Sequence, residues 1–280
     1  MPETPQVFIE QFRDISRSIE EIRTITLEAC RSLASLDKQL AVSRALDRVT
    51  RPDNIPADEQ KFAQAEKTIE LLQQQRNAGF PALNGMAVIV CWSEIEVFVG
   101  DLAMNWLCVR DDAWTSEWIR KLKVPLADFQ SMSRIDRADW CVRQLQSENV
   151  HEKKVGLSHF EPVLEAIGLP GKTKSPVPQQ LAELNAVRNL LAHRRGRIDK
   201  RFATLLDLPS ELIGRSWPVR YTDVERYSSA VLSFAASVFG RVKSLYGDNV
   251  DAVLDFVDAS EKVIAINLEL STATPRFALP

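Results

Sequence analysis

Near the start of the chain, apolar residues recur at alternating steps of four and three: Phe8, Phe12, Ile15, Ile19, Ile22, Thr26, Ala29, Leu33, Leu36 and Leu40. That spacing keeps a stripe on one side of a helix and predicts a long first helix with a heptad seam. Arg51-Pro52-Asp53-Asn54-Ile55-Pro56 interrupts it. A second helix is expected beyond, with Phe62, Ala65, Ile69 and Leu72 on one face. Short connections join antiparallel neighbours, so 1–78 reads as a helical hairpin rather than an intermolecular coiled coil.

After Gly79-Phe80-Pro81 the pattern becomes apolar on more than one side, from Leu83 to Val109, which predicts a core helix. Glu94 sits within it at helical spacing from Val90, Val97 and Phe98. Two readings stand for this carboxylate: a half-buried group that needs an arginine or amide partner, and a solvent-facing group at the rim. From Asp111 to Gly168 the segments are shorter, with helices expected around Arg134 to Gln146 and His159 to Ile167. The connector Gly171-Lys-Thr-Lys-Ser-Pro-Val-Pro178 contains a Gly-Lys-Thr but lacks the upstream glycine of a phosphate-cradling loop, where Ala166 stands instead. Thr222-Asp223 is expected to cap a last long helix with Val224, Tyr227, Val231, Phe234, Val238 and Val242 as its buried face. Beyond Asp248 the pattern admits a short helix near Val253 to Val257 and a strand from Val263 to Leu270, so 247–280 reads as an extension to the bundle at 79–246.

Composition narrows the classes. The chain has 280 residues, 45% hydrophobic and 26% charged, enough for a sizeable core. Its net charge of -3 excludes a uniformly basic surface, so any nucleic-acid contact must come from a local patch. Cys30, Cys91, Cys108 and Cys141 are too scattered for a zinc site and are expected as small core residues. His151 and His159 lack ligand spacing and are expected at the surface or in loops, so neither a metal nor another cofactor is expected. No apolar run is read as a membrane span and the opening Met-Pro-Glu-Thr-Pro is unlike a signal peptide. The expectation is a soluble, cytoplasmic protein with no membrane partner.

The chemistry concentrates in Leu181 to Arg201. Leu181, Leu184 and Leu191 define one face of a helix, and Gly196 is expected as the left-handed residue that ends it. Arg188 falls on that face, which predicts that its guanidinium points to a core, a helix seam or a partner chain, with Glu94 as the supporting carboxylate. Asn189 and His193 stack one turn apart on the adjacent stripe. Arg188, Arg194, Arg195, Arg197, Lys200 and Arg201 against Asp199 give 6 - 1 = +5 in this short stretch, a patch able to follow a phosphate backbone. Arg194 and Arg195 equally suit the negative end of a helix dipole.

The run Arg188-Asn189-Leu190-Leu191-Ala192-His193 resembles the R-x4-6-H motif of HEPN domains, down to the polar residue after the arginine. Arg194-Arg195-Gly196-Arg197-Ile198-Asp199 and Tyr221-Thr-Asp-Val-Glu-Arg-Tyr227 extend the similarity, which covers about 80–246. The resemblance implies an all-α helical bundle, here preceded by the long N-terminal hairpin, and a homodimer that brings two motif helices together. It implies a metal-independent endoribonuclease of the toxin or anti-phage defence kind, held by an antitoxin or regulatory partner. Arg188, Asn189 and His193 would then be catalytic, and Arg194, Arg195, Arg197, Lys200 and Arg201 would bind RNA. His193 can carry a proton near neutral pH and Arg188 a fixed charge for the phosphorane. Five residues turn a helix through about 140°, so the two do not sit side by side in one chain, and a composite site across a two-fold axis is expected. The alternative is a catalytically silent HEPN-like module that binds RNA or nucleotides, or serves as a dimerisation scaffold.

Overall fold

Pro81 opens the helix around which the others pack. Its missing N–H and fixed φ suit the first helical position, and Gly79 and Phe80, both left-handed at φ 75° and 57°, turn the chain into it. The computed structural model describes residues 4–50, 59–150 and 156–248. These form α1 (Gln6–Thr50), α2 (Glu59–Asn77), α3 (Pro81–Val109), α4 (Glu117–Lys121), α5 (Leu126–Ser131), α6 (Arg134–Val150), α7 (Glu161–Ala166), α8 (Val177–Arg194), α9 (Lys200–Leu205) and α10 (Tyr221–Tyr246). The fold of these residues is all-α, and their one β pairing is the bridge between Arg197 and Ser216.

Four long helices make the core. Phe8 packs on Trp106 with ring centroids 5.5 Å apart and Cys30 lies 3.9 Å from Asn84, so α1 runs antiparallel to α3. Cys91 meets Ser228 and Trp106 meets Tyr246, so α10 runs parallel to α3. α8 is antiparallel to both, with Leu191 against the bare backbone of Gly85. Asn84, fully buried, donates to Gly79 O at 2.8 Å and Val219 O at 3.1 Å, tying the turn before α3 to the segment that enters α10. α3 is long and apolar enough to cross a membrane by length and composition, contrary to the expectation that no run would be, and half of that window is buried in the bundle.

The heptad seam of α1 meets different neighbours along its length. Phe8, Ile15 and Ile19 are buried against α3 and α10, so the first part of α1 belongs to the core of the bundle, whereas the later part of the helix packs on α2. The break at 51–56 lies outside the described residues, as do His151 and the short helix and strand expected beyond Asp248. α10 departs from the one-sided reading: Tyr227 to Ala236 is buried all round because α1, α3 and α8 enclose it. Its cap also differs. Arg220 is the N-cap, and Asp223 at the third helical position accepts from the Arg220 N–H at 2.9 Å, so the carboxylate caps from inside. His159 ends a short 3-10 turn (Gly156–His159), half-buried and edge-on to Phe160. Cys91 and Cys141 are core residues whose thiols burial pushes up to about 11. Cys30 and Cys108 are half-buried, and all four are free.

Candidate functional site

Val177, Leu181, Leu184, Val187 and Leu190 bury one face of α8 against α3 and α10. The opposite stripe therefore faces out, and it reads Asn185, Asn189, His193 at steps of four. Arg195, left-handed at φ 54°, ends the helix one residue before the glycine expected for that role, and Gly196 follows at φ 72°. The chain then turns back. Gly214 N donates to Ile198 O at 2.8 Å and Trp217 N to Gly196 O at 2.8 Å, which fixes the exit segment. Asp199 accepts from Phe202 N at 2.8 Å and so starts α9 beside the outer stripe of α8.

Between that stripe and α9 lies an open cleft of about 800 Å³. One wall carries Asn185, Asn189 and His193, and the other carries Lys200, Arg201 and Thr204. Leu190, Phe202 and Leu205 give it an apolar floor. Arg194 also reaches it, at 3.5 Å from Asp199. Lys200 and Arg201 make no ion pair among the described residues. The cleft thus sets an imidazole and two amides against cations, a combination able to bind an anionic chain and move a proton on it.

Of the residues singled out in the sequence, Asn189, His193, Arg194, Lys200 and Arg201 line this cleft, while Arg188, Arg195, Arg197 and Glu94 do not. Arg197 donates to Gly214 O at 3.2 Å, and Arg195 is exposed. Arg188 lies half-exposed along the helix surface rather than in the core, and its Nη1 donates to Asn189 Oδ1 at 3.0 Å. The expected Arg188 to Glu94 pairing is absent among the described residues. Glu94 is half-buried beside Cys91, where its charge adds to burial in raising the thiol pKa.

Among the described residues the buried arginine is instead Arg226 of α10, 3% exposed. It forms a bidentate pair with Glu183 of α8, and lies 3.3 Å from Asp223. The Tyr227 hydroxyl donates to Glu183 at 2.8 Å. Burial works against the Arg226 charge, yet Tyr227 and the two carboxylates raise its pKa above the usual range. This cluster fixes the rotation of the motif helix against α10. The only sequence signal was the Asp223 and Arg226 pair at helical spacing within an otherwise apolar face. Asn185 was missed as well, and its signal was the four-residue step back from Asn189. Among the described residues no group of three or more His, Cys, Asp or Glu side chains could hold a metal ion. The chain matches no family model, no curated protein and no solved structure.

Proposed function

We propose that this chain is an endoribonuclease of the HEPN type that cleaves RNA through its own 2'-hydroxyl, working as a two-fold dimer and needing no metal. The observation that carries the reading is the cleft that gathers His193, Asn189 and the cations Lys200 and Arg201 around an apolar floor. In the reaction, the 2'-oxygen bonds to phosphorus as its proton passes to an imidazole. The 5'-oxygen leaves with a proton, giving a cyclic phosphate and a free 5'-hydroxyl. A pair of His193 side chains, one from each copy, can serve as base and acid. Cations at the cleft offset the charge that grows on the phosphorane.

The two-fold pairing has support from α3. Met86, Val90 and Val97 are exposed at 66%, 42% and 57%, and Met86 is next to the Gly85 that touches α8. An apolar stripe beside the motif helix suits a second copy. A cell would need such an enzyme, as a toxin or defence effector, held in check by a regulatory partner. One observation favours a binding module without cleavage: Arg188 is turned onto Asn189 and stands outside the cleft lining.

The deciding experiment incubates purified protein with mixed labelled RNAs in EDTA, beside its His193→Ala variant, and reads product ends. Cyclic-phosphate ends from the parent and none from the variant are expected. RNA bound but uncut by both proteins would replace the nuclease with the binding module.

A further inference from the structure

We propose that Asn185 is a phosphate-binding residue of the cleft, and that Arg188 is a positioning residue that turns the amides of Asn189 and Asn185 so that their N–H groups meet the bound phosphodiester. This rests on reading the cleft as an RNA site. A guanidinium has donors only, so the Asn189 atom 3.0 Å from Arg188 Nη1 must be the carbonyl oxygen. The other end of that amide is therefore the NH2, and it donates to Asn185 Oδ1 at 2.9 Å. Asn185 is oriented in turn, with its own NH2 pointing away from the bond. Each bond in such a chain polarises the next.

With that bond made, Asn189 keeps one N–H and Asn185 keeps two, on residues that line the cleft together with Lys200 and Arg201. A donor-rich wall opposite cations suits a group that only accepts. The non-bridging oxygens of a phosphodiester are such a group, whereas most base edges set a donor beside an acceptor. The site should therefore grip single-stranded RNA without regard to base, with the apolar floor of Leu190 and Leu205 under the sugar or base.

The test uses the full chain carrying His193→Ala, so that RNA stays whole, and fluorescence anisotropy with short labelled oligo-U, oligo-A and oligo-C. In that background Asn185→Ala should weaken binding roughly 3- to 10-fold on all three sequences, the scale of one ordinary hydrogen bond lost in an open, hydrated cleft. Asn185→Asp should weaken it more, because the carboxylate still accepts from Asn189 but places a negative charge against phosphate. A neutral donor releases no counterion, so Asn185→Ala should leave the dependence of log Kd on log salt unchanged, while Lys200→Ala should lower its slope by roughly 0.7. Arg188→Ala should reproduce the Asn185→Ala loss, with no further loss in the double variant. Melting temperatures matching the His193→Ala parent show that each variant is folded. Unchanged affinity in Asn185→Ala, or a loss confined to one base, would overturn the phosphate assignment, and additive losses with Arg188→Ala would overturn the relay. If the parent binds none of the three RNAs, the RNA reading itself falls and takes this proposal with it.

Discussion

Two arginines with similar sequence settings have opposite fates in this protein. Arg226 is enclosed by Glu183, Asp223 and Tyr227, so Arg226→Ala leaves two carboxylates without their cation and should cost about 3–5 kcal/mol in urea unfolding. Arg188→Ala removes a half-exposed guanidinium from a surface bond and should cost under about 1 kcal/mol. Equal destabilisation by the two would contradict the burial described for them. The sequence made His193 and its basic neighbours visible, because histidines are few and the charge cluster is dense. It could not say which arginine is buried, since Arg188 and Arg226 both fall near apolar stripes, and only the carboxylate brought up from another helix separates them. Glu183 does that for Arg226, and Glu94 does not do it for Arg188. A second check concerns thiols. Cys91 and Cys141, with burial pushing both up to about 11, should resist iodoacetamide at pH 8 until denaturant is added, as read by mass spectrometry of the labelled peptides.

Helices were legible where one period dominated, as in α1, or where an apolar run was too long for a strand, as in α3. Their environments were less so. The heptad seam of α1 announces a long helix but not that its first part is buried in the bundle while its later part meets α2. That division predicts a gradient along one element. Ile19→Ala, at a fully buried position, should cost about 2–5 kcal/mol, whereas Leu46→Ala, 62% exposed, should change stability by about 0.5 kcal/mol or less in the same urea titration. The connector ahead of α8 is similar. Its Gly-Lys-Thr carries no nucleotide signature, and the structure gives the glycine a packing role instead. A Cβ at Gly171 would collide with the Arg241 guanidinium, which pairs with Glu161 at 2.8 Å. Gly171→Ala should therefore displace that pair and lower the melting temperature by several degrees, by calorimetry.

For the molecule as a unit, the apolar stripe on α3 and the basic cleft at the end of α8 lie toward the same end of the bundle, the end that begins with Pro81. The proposed pairing of two copies can be weighed there. Sedimentation of the parent should show a dimer, and Met86→Glu with Val90→Glu should shift it to a monomer with its helical signal intact. A parent that sediments as a monomer would remove the composite site. None of this was legible from the net charge of -3, which averages over a patch of +5 and hides it. At the far end of the bundle, Thr4 N donates to Asp248 Oδ2 at 2.9 Å, close to Trp106 and Tyr246. Gly85 and Trp106 are separated by about 21 residues of one helix, so that junction stands roughly 30 Å from the motif end. A fluorophore attached at Gln6, exposed beside that junction, would thus be clear of the cleft yet within energy-transfer range of a dye on a bound oligonucleotide, turning the junction into a ruler for where along the bundle the ligand lies.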